Sequence, residues 1–203
     1  MALALFIAVV TTSEQRIDDL FVTGEWRSRA FSFAWDDGSA SRSGDDHYQQ
    51  AWAAGGGWRR GWGGSGSPHH LIAGLGLLGL REEFVGGNVT GALLRLETGY
   101  GFGLSDHLLI TVLPVVDLGL ARTSLAVGRS EPLILKGSIA ELGLRTGLRW
   151  SPAQAWALSA DVGWISGQER ASGDGADLTI RRSGPLASLS LVWRLDSRPR
   201  SLE

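Results

Sequence analysis

Residues 144–164 read Leu-Arg-Thr-Gly-Leu-Arg-Trp, then Ser-Pro-Ala-Gln-Ala, then Trp-Ala-Leu-Ser-Ala-Asp-Val-Gly-Trp. Two alternating runs flank a tight turn, with Trp150 and Trp156 at its lips. Before the turn, Leu142, Leu144, Thr146, Leu148 and Trp150 interleave with Glu141, Gly143, Arg145, Gly147 and Arg149. After it, Trp156, Leu158, Ala160, Val162 and Trp164 interleave with Ala157, Ser159, Asp161 and Gly163. Strand side chains point to opposite faces with period two, so the spacing predicts a hairpin with one greasy face and one face that is tiny or ionised. A soluble sandwich packs its bulky face inward and turns its polar face to water. A polar face built of glycine and lone charges instead suits a narrow lumen, and aromatics at the turn suit an interfacial girdle.

The same alternation recurs eight times, predicting strands near 20–35, 48–64, 70–82, 91–104, 108–126, 138–150, 156–168 and 178–195. The second, fourth and sixth connections read as short turns at 65–69, 105–107 and 151–155. The first, third, fifth and seventh read as longer polar loops at 36–47, 83–90, 127–137 and 169–177. An even strand count with short turns on one side and long loops on the other predicts an all-β, eight-stranded antiparallel up-and-down transmembrane β-barrel. Several strands exceed the roughly 9–11 residues needed to cross a bilayer, so the barrel should project beyond the membrane on the loop side. Gly55, Gly56 and Gly57 interrupt the second strand, and adjacent Leu77 and Leu78 suggest a bulge in the third. The expected girdle is Trp35, Trp62, Trp150, Trp156, Trp164 and Trp193.

The texture of residues 18–195, from Leu94-x-Leu96-x-Thr98-x-Tyr100-x-Phe102 to Leu189-x-Leu191-x-Trp193, resembles small bacterial outer-membrane barrels of the OmpA transmembrane domain and OmpX type. That resemblance implies a bacterial outer-membrane location and insertion by the barrel assembly machinery. It also implies contact with outer-membrane lipid and lipopolysaccharide, and a monomeric barrel. Residues 1–17 read as a signal-peptide remnant or N-terminal extension, because Ala2–Val10 is an apolar run of signal length. Residues 18–196 read as the barrel and 197–203 as a C-terminal tail.

Composition sets outer bounds. A chain of 203 residues is one domain by size. A formal charge of -2 leaves no electrostatic footprint for a nucleic-acid partner. Absence of cysteine excludes disulfides, thiolate metal ligands and thiol catalysis. No run of about 18–20 apolar residues offers a helical span. Nine tryptophans and 29 glycines depart from ordinary globular usage, and a membrane barrel has a place for both.

The register turns twelve charged side chains into the lumen: Glu25, Arg27, Arg29, Arg59, Arg95, Glu97, Asp117, Glu141, Arg145, Arg149, Asp161 and Arg194. An eight-stranded barrel has an interior just wide enough to fill with side chains, so these must pair with one another or with water. They form either a static polar plug or a gate whose switching ion pairs open a narrow pore. Ser105-Asp106-His107 has the residue types of a hydrolase triad, but consecutive residues in a turn do not place the imidazole between the other two, and turn preference explains them. His69, His70 and His107 on neighbouring turns lack the carboxylate spacing of a metal site. Gly74-Leu75-Gly76-Leu77-Leu78-Gly79 matches the dinucleotide fingerprint in letters without the strand and helix that motif requires. The acids at the loops and their edges (Asp36, Asp37, Asp45, Asp46, Glu82, Glu83, Glu131, Glu169, Asp174 and Asp177) read as solvated surface, with divalent-cation bridges to lipopolysaccharide as the alternative.

The expectation is therefore a non-enzymatic outer-membrane barrel with a structural or surface-interaction role, without catalytic residues, metal or cofactor. Three alternatives compete with it: an outer-membrane lipid-modifying enzyme, a soluble lipocalin-like ligand-binding barrel, and lateral passage of small hydrophobic molecules where Pro114 and the glycines loosen the wall.

Overall fold

Every predicted strand forms, because each has the period-two pattern that gives its two faces different chemistry. The computed structural model describes residues 14–64, 67–126 and 132–195. Its strands are β1 (Glu14–Asp36), β2 (Ser41–Gly64), β3 (His69–Phe84), β4 (Gly87–Ser105), β5 (Leu108–Leu125), β6 (Leu133–Trp150), β7 (Trp156–Gly173) and β8 (Ala176–Arg194). Each pairs antiparallel with its neighbour in sequence, and β1 pairs with β8 to close the barrel. Closure removes the sheet edges that would otherwise leave backbone groups unpaired.

The stagger follows from the register. Stepping from partner to partner, Leu20 leads through Trp58, Leu75, Leu96, Val116, Leu142, Ser166 and Ser183 back to Ala30. One circuit thus climbs ten residues of β1 (20 to 30), a tilt that leaves a lumen filled by side chains. β2 meets this curvature with glycine. An added Cβ on Gly55 or Gly57 would lie 1.9 Å from the Leu77 carbonyl oxygen or 2.1 Å from that of Leu75. Leu77 and Leu78 make no bulge: the register on both sides of β3 is unshifted there. Pro114, which has no N–H to donate, falls in a short gap of the β4–β5 ladder between Glu97↔Val115 and Tyr100↔Val112, and the register resumes unchanged beyond it.

The long loops are where the structure departs from expectation. β1 and β2 are joined by residues 37–40, β3 and β4 by Val85-Gly86, and β7 and β8 by Asp174-Gly175. β6 begins at Leu133 rather than 138, and residues 127–131 of the predicted loop lie outside the described residues. These three far-end connections are thus as tight as those at the near end, where the described barrel starts and finishes. The residues taken for loop are strand that continues past the membrane, polar because its outer face meets water.

That continuation inverts the barrel's polarity along its axis. Toward the near end, outward positions carry Leu20, Val22, Leu75, Val112, Leu144, Leu148 and Leu189, all exposed, while inward ones carry buried arginines and carboxylates. Toward the far end, outward positions carry Arg122, Lys136, Arg170 and Arg181, all exposed. Inward ones there form an apolar cluster of Phe31, Leu125, Leu133, Leu135, Leu178 and Ile180, with Trp35 and Phe84 packed against it. A second inward cluster, including Leu78, Leu80, Leu93 and Ile139, lies along β2 to β6. The lumen is therefore not lined by glycine and charge throughout. Where water replaces lipid outside, the wall takes up the ordinary economy of a soluble barrel, greasy in and polar out.

Candidate functional site

Inward positions from the near mouth into the far half hold a balanced set of charges. Asp19, Glu25, Glu82, Glu97, Asp117, Glu141, Asp161 and Glu169 are buried, as are Arg27, Arg29, Arg59, Arg95, Arg145, Arg149 and Arg182. Arg194, half-buried at the near mouth, brings the described cations to eight against eight carboxylates. Buried charge is costly unless paired and hydrogen-bonded, and matched numbers allow every charge a counter-charge.

The pairing is layered. In the middle, Arg95 donates to Asp117 at 2.6 and 2.7 Å and to Glu25 at 2.7 and 3.2 Å. Arg27 bridges Glu25, Glu141 and Asp117, the last at 2.8 Å. Arg29 grips both oxygens of Glu141 at 2.6 and 3.1 Å. Nearer the termini, Arg59 and Arg145 each donate to Glu97 at 2.5 Å, and Arg149 to Asp19 at 2.6 Å. Ser188 donates to Asp161 at 3.2 Å. Toward the far end Arg182 joins Glu82, at 2.6 Å, to Glu169, which also accepts from Thr123. Above that layer the apolar residues close around a cavity of about 360 Å³ lined by Phe31, Phe33, Trp35, Phe84, Leu133 and Leu178. The lumen is occupied along its length, first by ion pairs and then by hydrocarbon.

Eleven of the twelve charges read from the sequence are buried in this network, and Arg194 stands at its mouth. Asp19, Glu82, Glu169 and Arg182 were missed. Glu82 and Glu169 had been placed among the solvated acids, yet both have the parity of their strands' inward faces and are buried, since the strands run on where loops were expected. Of the other acids in that group, the side chains of Asp46 and Glu131 lie outside the described residues.

Seven of the nine tryptophans sort into two belts once the stagger is included, and Trp58, opposite Leu20 on the outer wall, lies between them. Trp62, Trp150, Trp156 and Trp193, with Tyr100 and Phe102, share one level close to the near end. Outward-facing Trp26, Trp52 and Trp164 share a second level roughly eight residues, or about 20 Å, further along. Trp164 therefore belongs to the far belt, a separation that spacing within a single strand does not reveal. Trp35 belongs to neither: its odd position on β1 turns it inward, onto the Phe31–Leu178 cluster. A strip of exposed leucine and valine between two aromatic belts is the outer surface of a barrel that crosses a bilayer.

The remaining motifs are structural. His107 donates its backbone N–H to Ser105 Oγ at 3.3 Å, as a turn residue does. Its Nδ1 lies 3.0 Å from the Ser151 carbonyl oxygen. His69 is exposed and hydrogen-bonded to the Tyr100 hydroxyl, whereas adjacent His70 lies on the opposite face of β3, lining the near mouth. Gly74 to Gly79 lie within β3, where Gly74 makes room for Glu97 and Gly76 for Phe21.

No family model matches the chain, and no curated protein sequence matches it closely. Among solved structures it is similar to the Neisserial surface protein A, at 11% identity and a TM-score of 0.44 over 87% of this chain and 97% of that one. It is similar to the outer membrane protein AlkL, at 16% identity and 0.42 over 91% and 93%. It is also similar to the attachment invasion locus protein Ail of Yersinia pestis, at 13% identity and 0.39 over 85% and 98%. These likenesses add nothing finer than the closed antiparallel barrel already given by the strand pairing.

Proposed function

We propose that the protein is a non-enzymatic outer-membrane β-barrel with a structural or surface-interaction role, closed to solutes by its own side chains. The observation that carries this reading is the inverted sidedness of the near half: Leu189 is 71% exposed while Arg27 and Arg95 are fully buried. In water that arrangement would leave a greasy wall exposed around a core of charge, losing hydrophobic stabilisation at about 25 cal/mol per Å². In a bilayer it is the favourable one. The near end, where both ends of the described barrel lie, faces the periplasm, and the far end projects outward as a polar collar.

The balanced, layered pairing supports a plug rather than a gate. Each arginine of the middle layer touches two or more carboxylates or both oxygens of one, so opening a path requires several contacts to break together. Membrane fractionation with heat-modifiable migration on a detergent gel tests the location. The folded barrel should run ahead of the boiled chain and sediment with outer membranes. Recovery as a detergent-free monomer would overturn the reading in favour of a soluble binding barrel. In planar bilayers the wild type should give no stepped conductance, and Arg145→Gln with Arg149→Gln should begin to leak. Lipid A acylation, followed by mass spectrometry, should be the same with and without expression.

A further inference from the structure

Beyond the second tryptophan belt, four successive strands present a row of cations on the outer wall. Arg122 of β5 and Lys136 of β6 face each other directly across the ladder. Arg170 of β7 sits opposite Ser138, one outward position from Lys136, and Arg181 of β8 sits opposite Gln168, one outward position from Arg170. All four are exposed. With the stagger included they fall within about two residues of a common level, roughly 10 Å beyond the Trp26–Trp52–Trp164 belt. Strands lie about 4.8 Å apart, so the row forms an arc roughly 15 Å wide.

The arc is unbalanced and one-sided. None of its four cations makes an ion pair or side-chain hydrogen bond with another described residue. Like charges directly opposite each other on a ladder destabilise it, so the Arg122–Lys136 pair is a local cost with no described counter-charge. Asp177, the described acid on the outward face of these strands, lies two outward positions beyond Arg181. Elsewhere among the described residues the rim at this level carries no further free cation: it has Ser32 on β1, Gln50 on β2 and Thr90 on β4, Arg81 on β3 is tied to Glu83 at 2.7 Å, and exposed Asp45 of β2 lies opposite Ser32, two strands from Arg181. A solvated collar would spread its charges around the rim.

Charge of one sign, held just outside an apolar band and over half the circumference, matches an anion fixed at the membrane surface. We propose that Arg122, Lys136, Arg170 and Arg181 bind the phosphates of a lipid A molecule in the outer leaflet, an inference that rests on the outer-membrane reading above. The acyl chains would lie along the exposed leucines below, Leu142 and Leu144 of β6. The phosphates would rise to the arc, where guanidinium forks hydrogen-bond phosphate oxygens in pairs.

Native mass spectrometry of the purified barrel in detergent micelles tests this, with bisphosphorylated lipid A, monophosphorylated lipid A and inorganic phosphate as probes. Heat-modifiable migration reports folding in parallel. Wild type should retain bisphosphorylated lipid A more strongly than the monophosphorylated form. The R122Q/K136Q/R170Q/R181Q variant should lose retention at least tenfold, given roughly fivefold per interfacial charge. Arg81→Gln should retain lipid A like wild type. A folded, heat-modifiable quadruple variant that retains lipid A as well as wild type overturns the arc and leaves the outer-membrane reading standing. Displacement by millimolar inorganic phosphate also overturns it, by showing an anion site indifferent to lipid. A wild-type protein that is a monodisperse monomer without detergent removes the outer-membrane reading, and the lipid site with it.

Discussion

Arg95 holds four hydrogen bonds to two carboxylates at the centre of the lumen, where no solvent is at hand to replace it. Removing one partner of a buried pair leaves the other charge uncompensated, at a cost of about 3–5 kcal/mol. Arg95→Met should therefore lower the unfolding free energy in lipid vesicles by that order, as read from a denaturant titration; a loss below about 1 kcal/mol would show that the network is hydrated and loose. Asp37 is the contrasting case, an exposed carboxylate in the far-end turn. It accepts the Ser39 hydroxyl at 2.7 Å and the backbone N–H groups of Ala40 and Ser39 at 2.8 and 3.0 Å, which hold its pKa down to about 2 from 3.8. A carboxyl with a depressed folded pKa contributes stability above its unfolded value and loses it as pH falls through the folded one. The Ser39 and Ala40 amide resonances should hold steady down to about pH 4 and move together with a midpoint near 2. A midpoint close to 3.8 would mean that the turn does not cap itself. At this scale parity decided what the sequence could tell. The alternation exposes Arg27 and Glu141 as lumen residues, whereas Glu82 and Glu169 read as loop-edge acids and Trp35 as part of the girdle, and all three turn inward.

The strands owe their wall to two different solvents, which explains why their cores were legible and their far ends were not. A lipid-facing run such as Leu142 to Trp150 alternates greasy with polar and is read at once. Beyond the membrane the outer face becomes Lys136, Ser138, Arg170 and Arg181, and a polar residue on a water-facing strand looks like a loop residue in sequence. The backbone signals for the true turns were nonetheless present. Asp174 and Gly175 both take positive φ, 50° and 77°, the Asp-Gly hairpin turn, and Gly86 takes φ 87°. The change of solvent predicts a depth profile. Leu189→Arg, midway between the belts, should cost about 2–4 kcal/mol in vesicle unfolding, while Leu120→Arg, beyond the far belt, should cost about 0–1 kcal/mol. Equal costs would misplace the band, since the two leucines are alike in exposure at 71% and 73%. Gly57→Val should weaken the barrel by several kcal/mol or prevent closure, because its Cβ would meet backbone 2.1 Å away. A variant as stable and as heat-modifiable as wild type would refute that close approach.

Across the whole molecule, one closed sheet carries two polarities stacked end to end. The half between the tryptophan belts hides its charge and shows its hydrocarbon, and the projecting collar turns charge outward and closes on hydrocarbon above its last inward ionic layer, Glu82, Glu169 and Arg182. Membrane depth is thus written into a change of face along each long strand, and β6 crosses the boundary within a single run. The chain has no cysteine, so single cysteines introduced along β6 and spin-labelled in reconstituted vesicles report one site at a time. Collision rates with oxygen, which enters lipid, and with a water-soluble nickel complex should then separate the two surfaces. Labels at 142, 144 and 148 should meet oxygen and not nickel, those at 136 and 138 nickel, and those at 141 and 145 little of either. Nickel collisions at 142, 144 and 148 equal to those at 136 and 138 would put the leucine wall in water and contradict the account at its root.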